Sequence, residues 1–543
     1  MEGDPDRYRF GPLERRGLVA GWRAGQIGSV AAGLIVAVVI LRSRSDPLAV
    51  VVAVVAVAGG VALGCWPVAG QAGDQWLPTV VRWGAQSTSG RHRWRSPLPS
   101  VGRLLGGGLP GDRLPGGRLA GDRLPGSAVA KGSPFDGLDI LEVRTATAGG
   151  RCGVVHDARS GTYTAVLEVR GHTFALLGTD EKARRVAGWS TVLSSLARER
   201  PVVHRLQWLA TTLPDDGRAV DAFLGERATL GPEQAARRSY AALLTDVGAS
   251  TCRHEVHLAV QVRGRSVGRQ HRMADGAAGG TAGAMAGGRA GGRADPFAGG
   301  RRGVGRGPGR HVGPCLVLER EVAAIRRALG DADVAVEAVL DPTALVTLFR
   351  RSGQPGPVGV ATNEAPGNET ATAVWPWPMA LQTEWRRLRT DGTWQATYWI
   401  AEWPRVDVGP DFLGPLLLGS VRRTVSVVME PLSPSRAIRQ AEQARTADVA
   451  DAELRRRGGF LATARRSREA ELATRREAEL AEGYAAVRFS GYVTVTASTA
   501  DQLENACDAT EQAAGQCRLE LRRLYGEQDR AFTFTLPLGR GLR

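Results

Sequence analysis

Residues 24–69 read AGQIGSVAAGLIVAVVILRSRSDPLAVVVAVVAVAGGVALGCWPVA, and the fold turns on how that stretch is solvated. Ile27 to Leu41 is almost purely apolar, Leu48 to Ala69 is a second such run, and only the polar stretch Arg42 to Pro47 divides them. Crossing about 30 Å of hydrocarbon takes roughly 20 residues of helix, a length that Ala24 to Leu41 approaches. The pattern predicts a hairpin of two transmembrane helices. A cleaved signal peptide shares the basic leading flank, but no small-residue cleavage site leads into a mature domain and a second apolar run follows at once. A buried helical hairpin is the remaining alternative.

Flanking charge gives the orientation. Arg7, Arg9, Arg15, Arg16 and Arg23 precede the first run, and Arg82, Arg91, Arg93 and Arg95 follow the second, whereas only Arg42 and Arg44 occupy the loop. By the positive-inside rule both termini face the cytoplasm across the inner (plasma) membrane. Trp22 and Trp66 suit interfacial anchors, and the cluster Arg91–Arg95 suits anionic headgroups.

The 543 residues, 43% of them hydrophobic, suffice for one or two cores beyond a membrane segment. A net charge of +15 sits partly beside the apolar runs and partly in a Gly/Arg-rich stretch, so it does not require a nucleic-acid surface. Cys65, Cys152, Cys252, Cys315, Cys507 and Cys517 show no ligand-like spacing and read as free thiols in a reducing compartment.

The chain divides into a cytoplasmic tail (1–23), the hairpin (24–69), a juxtamembrane segment with a Gly/Pro-rich linker (70–135), a first α+β unit (136–263), a disordered Gly/Ala/Arg-rich linker (264–314) and a second α+β unit (315–543). The first unit reads as strands over Gly153–Val169 around a turn at Ser160-Gly161, a helix from Thr179, a strand over Val203–Leu209, helices to about Leu244 and a strand over His254–Val262. The second reads as a helix over Cys315–Leu329, a strand over Val334–Leu340, a helix opened by Asp341-Pro342 and a Trp-rich hairpin over Leu381–Arg389 and Trp394–Trp403. A strand over Val421–Met429 and a charged helical insertion (433–483) come next. The strand Ala486–Thr496, a helix capped by Ser498 or Thr499, and strands over Arg518–Leu524 and Ala531–Leu536 close the chain. That order is compatible with a ferredoxin-like layer.

Catalytic motifs are missing where chemistry would need them. Lys131 precedes Gly and Lys182 precedes Ala, so neither lysine can serve a P-loop, which wants Ser or Thr there. His254-Glu255-Val256-His257 is one residue short of a zincin motif, and on a strand its histidines face opposite ways. His156 with Asp157 lies near a turn with no nucleophile tied to it by spacing. Catalytic residues, metal ligands and cofactors are therefore expected to be none, and the chain is read as a non-enzyme. Of the tryptophans 375, 377, 385, 394, 399 and 403, the strand positions suit a core, and Trp375-Pro376-Trp377-Pro378 suits a docking loop.

Several segments carry a family resemblance: Ala396–Pro404 (ATYWIAEWP), Val425–Pro431 (VSVVMEP), Gly491–Val495 (GYVTV), Thr535–Gly539 (TLPLG), Arg9–Leu13 (RFGPL) and Arg205–Trp208 (RLQW). Together they resemble actinobacterial integral membrane proteins of conjugation-type (type IV-like) secretion loci. The C-terminal order is also similar to the N-terminal non-ATPase domain of conjugation ATPases, and the layout resembles EccE of type VII secretion. The resemblance implies a structural component of a secretion or conjugative DNA-transfer apparatus. Its implied partners are the lipid bilayer, a separately encoded P-loop ATPase and other secretion subunits, within an oligomeric complex. An EccE-like membrane component is the alternative, as is a membrane-anchored nucleic-acid-binding protein, which the sparse aromatics of the Arg-Gly stretch disfavour.

Overall fold

Period-two alternation beyond the apolar runs needs two faces to bury, and both faces are found. In the computed structural model, residues 24–43, 46–65, 67–68, 71–90, 92–95, 122–123, 132–144, 150–170, 177–214, 252–264, 311–354, 376–457 and 464–542 are described. The N-terminal tail, most of both Gly-rich linkers, the expected helices to Leu244, Trp375 and the Gly458-Gly459 break lie outside them.

Helix α1 (Ala24–Ser43) covers the first apolar run and α2 (Pro47–Cys65) the second only as far as Cys65, and among the described residues only α1 is long and apolar enough to cross a membrane by length and composition. A two-strand ribbon, β1 (Pro67–Val68) and β2 (Gln71–Ala72), leads into α3 (Gly73–Thr88), a helix the sequence reading omitted, with Pro78 inside it. The short strands β3 (Arg93–Arg95) and β4 (Asp122–Arg123) lie at the two ends of a 14-stranded antiparallel sheet.

The N-terminal half of that sheet contains β5 (Leu138–Arg144), β6 (Arg151–Asp157), β7 (Thr162–Arg170), helix α4 (Thr179–Leu196), β8 (Val203–Pro214), β9 (Cys252–Arg263), helix α5 (Val312–Asp331) and β10 (Ala335–Val339). After helix α6 (Pro342–Gly353), the C-terminal half contains β11 (Ala380–Thr383), β12 (Leu388–Thr390), β13 (Thr393–Glu402), the single turn α7 (Gly414–Leu417) and β14 (Arg423–Pro431). The charged helices α8 (Pro434–Arg457) and α9 (Ala464–Ala481), β15 (Val487–Ala497), α10 (Ala500–Gln516), β16 (Glu520–Arg523) and α11 (Gln528–Phe532) complete it. Local chemistry explains several helix starts. Asp341 accepts from Ala344 N at 2.7 Å with Pro342 in the first turn, and Thr499 accepts from Gln502 N at 3.2 Å.

The two halves share one topology. In the first, β7-α4-β8-β9-α5-β10 has the lateral order β10-β7-β9-β8; in the second, β13-α7-β14-β15-α10-β16 has the order β16-β13-β15-β14. Each is preceded by a hairpin, β5–β6 or β11–β12, whose second strand pairs with the start of β7 or β13. The halves join antiparallel through β8 and β14, with Trp208 opposite Val427. Equivalent strands paired antiparallel imply a local twofold axis at that point. In each half one cross-strand pair between the first and third strands is hydrogen-bonded through its side chains: Thr164 with Gln261, and Thr397 with Thr494.

One face of the sheet carries Leu167, Val169, Leu258, Val260 and Val262 beneath α4 and α5, and Tyr398, Ile400, Val493 and Val495 beneath α7 and α10. Because α5 packs on β7 and β9 and β10 pairs with β7, residues 312–339 complete the N-terminal half of the sheet from beyond the linker. The opposite face carries Val166, Leu209 and Ala259 against α6, Phe135 and Trp377. Each such buried aliphatic side chain contributes roughly 1.5–3 kcal/mol.

Two expectations are corrected here. Ala531–Leu536 is not a strand: it is α11 followed by a 3-10 turn over Thr533–Thr535. The segment lies on the sheet's face, where side chains rather than a neighbouring strand take its carbonyls, so nothing holds it extended. Leu381–Arg389 is two strands, broken by a turn in which Glu384 N donates to Arg387 O.

Candidate functional site

The residues singled out for chemistry do not converge. Lys182 lies on α4 and pairs with Asp411 at 3.1 Å, and Lys131 is outside the described residues. His254 bonds Thr212 at 3.3 Å while His257 is buried, and burial lowers the pKa of both imidazoles. Between them Glu255 is held by Arg351 at 3.0 Å and Arg253 at 3.2 Å. Among the described residues no group of three or more His, Cys, Asp or Glu could hold a metal ion. The described cysteines are free, and burial pushes the Cys152 and Cys315 thiols up to about 12, leaving them inert near neutrality.

Trp377 corrects the docking-loop expectation. It is 2% exposed, stacked on Phe135 at 5.4 Å and tilted against Phe349 at 4.9 Å, because the hairpin β5–β6 and helix α6 close over it. The cavity beside it, lined by Arg350, Gln354, Met379 and Asp391, encloses about 50 Å³, room for a water or two and far below the ~300 Å³ of a small-molecule site.

One polar cluster was missed from sequence because its members lie far apart in the chain. Asp139 on β5, His156 on β6 and Tyr163 on β7 are cross-strand neighbours, and His311 at the start of α5 lies over them. Tyr163 OH and His311 Nδ1 are 2.9 Å apart, and the two imidazoles meet at 4.8 Å between ring centroids. His156 Nδ1 stands 3.9 Å from Asp139 Oδ2. All four residues are buried. The geometry ties the start of α5 to the hairpin.

A second polar line runs under the C-terminal segment, where residues 536–539 lie on β8 and β9 before Gly541 returns to Tyr492 on β15. Gln207 Nε2 donates to Phe534 O, Leu536 O and Ser426 Oγ at 2.8–3.0 Å, and Gly539 N donates back to Gln207 Oε1 at 2.7 Å. Gln261 Nε2 donates to Leu538 O at 2.7 Å, and Arg540 pairs with Asp157 at 2.7 Å. Burial works against ionisation of Asp157, but the Arg540 guanidinium and the Arg159 and Ser160 amides outweigh it and hold the carboxyl below its ordinary range. Gly539 (φ +60°) has no room for a Cβ, which would meet the Gln261 side chain at 2.7 Å. Nearby, burial and then Arg263, Arg205 and Arg488 push the His204 imidazole down to about 3.

The most unusual surface belongs to α1 and α2. They run antiparallel in backbone contact: a Cβ on Gly33 would meet Ala56 O at 2.9 Å, and one on Gly60 would meet Ser29 O at 2.7 Å. Gln26 Nε2 donates to Gly64 O at 2.9 Å. The side chains turned inward are small, with Ala37, Ala49 and Ala53 only 4–6% exposed. Outward, Ile35, Val39, Val54 and Val55 are 61–63% exposed, and Leu34, Val38 and Val51 are exposed as well. At ~1.5–3 kcal/mol each, leaving those seven in water forfeits roughly 10–20 kcal/mol, as much as a whole domain's stability.

The pair is tied to the sheet by α3, which packs against both apolar helices. Its Trp76 stacks on Trp385 at 5.8 Å and meets Tyr525 at 5.7 Å, and Trp83 meets Trp385 edge-on at 5.1 Å. Strand β3 then pairs with β11 and places Trp94 opposite Leu381, leaving Arg93 and Arg95 exposed. No protein-family model and no curated protein matches this chain.

Proposed function

We propose that this chain is a non-enzymatic inner-membrane component of a secretion or conjugative DNA-transfer apparatus. In this reading α1 and α2 are two spans with both termini in the cytoplasm, and the sheet is a platform for a separately encoded P-loop ATPase. The observation that carries the membrane part is the inverted packing of the helix pair, small residues inside and large aliphatic residues outside. Two helices in lipid gain nothing from hiding leucine and valine from each other, and gain dispersion contacts by letting backbones approach. A hairpin built for water would do the opposite.

The lateral strand order supports reading each half as a ferredoxin-like layer, with α8 and α9 as the insertion between the second and third strands of the C-terminal layer. The resemblance of Ala396–Pro404, Val425–Pro431 and Thr535–Gly539 to conjugation-type membrane proteins supplies the apparatus and the motor partner. Fractionation of the full-length chain tests the anchor: it is expected to remain in carbonate-washed membranes, and recovery in the soluble pool overturns the reading. Purification in mild detergent tests the platform. A P-loop ATPase is expected to co-purify, a type VII motor rather than a conjugation-type one would select the EccE-like variant, and nucleotide turnover by the chain alone would refute the passive role.

A further inference from the structure

Helix α3 presents two unlike faces. At roughly 100° per residue, Trp76, Thr79 and Trp83 share the side that docks on Trp385, Tyr525 and Glu527. Leu77, Val80 and Val81 share another, are 60%, 47% and 62% exposed, and flank Gly84, which has nothing within 4 Å of where a Cβ would stand. An aliphatic stripe left bare on a helix whose other face is fully engaged needs an occupant.

We infer that this stripe is seated in the surface of the lipid bilayer, making α3 an interfacial helix that lies along the membrane beside the two spans; the inference rests on the membrane reading above. Two observations select lipid over protein as the cover. The helix packs against both α1 and α2, the pair whose large aliphatic side chains are exposed. The chain leaving α3 exposes Arg93 and Arg95, which suit anionic headgroups at the same level. Trp76 and Trp83 then couple the membrane surface to the sheet through Trp385.

The test places nitroxide labels one at a time at L77C, V81C, V39C and V449C in the full chain, with the identically treated unsubstituted chain as background, in phosphatidylcholine–phosphatidylglycerol vesicles. Collision with oxygen, which concentrates in acyl chains, is compared with collision with a water-soluble nickel chelate. Val39 serves as the hydrocarbon reference and Val449, 63% exposed on α8, as the aqueous one. The inference expects oxygen-to-nickel ratios at 77 and 81 several-fold above that at 449 and approaching that at 39. If 77 and 81 match 449 while 39 remains oxygen-rich, the interfacial helix is overturned and the spans stand. If 77 and 81 are shielded from both reagents, a second copy or another protein covers the stripe and lipid is overturned. If 39 itself collides freely with nickel, the membrane reading fails first.

Discussion

In the helix pair glycine and alanine lie inside and valine, isoleucine and leucine outside; along β7, β9, β13 and β15 large residues lie inside beneath helices. Both regions are apolar, so composition does not separate them. What separates them is the direction in which the large side chains point. The sheet excludes water by filling its volume, and its stability rests on side-chain bulk. The pair keeps its backbones in contact, and its stability rests on the absence of side chains at Gly33, Gly60 and Gly64.

Truncation should therefore hurt one region and not the other. Leu258 is 1% exposed in the core beneath α4 and α5, and Leu258→Ala is expected to cost about 2–5 kcal/mol in denaturant unfolding of the detergent-solubilised chain. Val39→Ala, at a 61% exposed site, is expected to change the same measurement by less than about 0.5 kcal/mol. Equal costs would mean that Val39 packs on protein, and the contrast would be broken.

Enlargement should show the reverse asymmetry. Gly59 and Gly60 are neighbours on α2, yet a Cβ at Gly59 meets nothing within 4 Å while one at Gly60 meets Ser29 O and the Gly33 backbone. Gly60→Ala is expected to loosen the pair by about 1–3 kcal/mol, whereas Gly59→Ala should be neutral or favourable by up to about 1 kcal/mol from helix propensity. Distance measurements between labels on α1 and α2 would read this directly. An identical response from both variants would mean that close backbone approach does not hold the pair.

Within the sheet the contrast extends to polar groups. Gln207→Leu keeps the volume but removes the acceptor of Gly539 N and one of two donors to each of the Phe534 and Leu536 carbonyls, which keep Ser426 Oγ and Leu538 N, and is expected to cost about 1–3 kcal/mol. Because Gly539 N donates to Gln207 Oε1, its amide should exchange with solvent markedly faster in the variant. Unchanged exchange would show that Arg205, which bonds Gly539 O at 2.7 Å, and Gln261 suffice to hold the segment.

Much of the sheet was legible because alternation marks strands whatever they pair with: the strands over 151–170, 252–263, 393–402 and 487–497 fall where Gly153–Val169, His254–Val262, Trp394–Trp403 and Ala486–Thr496 were expected. The repeated topology was not legible, since the crossover between the first two strands is a full helix in one half and the single turn Gly414–Leu417 in the other. Helix α3 escaped notice because Pro78 interrupts it and its tryptophans only make sense once Trp385 is beside them. The Asp139–His156–Tyr163–His311 cluster was invisible for the same reason: His311 reaches it from the far side of a linker, and no spacing rule connects them.

A further expected effect separates the regions by titration. The described helices α1 and α2 contain no Asp, Glu, His or Lys, so nothing in them changes charge between pH 3 and 7. In the sheet, His204 is held neutral to about pH 3 against an ordinary value of 6.5, chiefly by burial and then by three arginines. A lowered imidazole pKa means that the unfolded chain binds the extra proton first, so the native state is undiminished above pH 6.5 and loses stability as pH falls from there toward 3. His254 and His257 shift in the same direction, so His204→Gln should flatten this slope without abolishing it. Unfolding free energies of both chains across that window decide it: parallel curves would mean that the three arginines and the burial of His204 do not act on its proton, whereas convergence at low pH ties the acid sensitivity of the sheet to the rim where β8 meets the C-terminal segment.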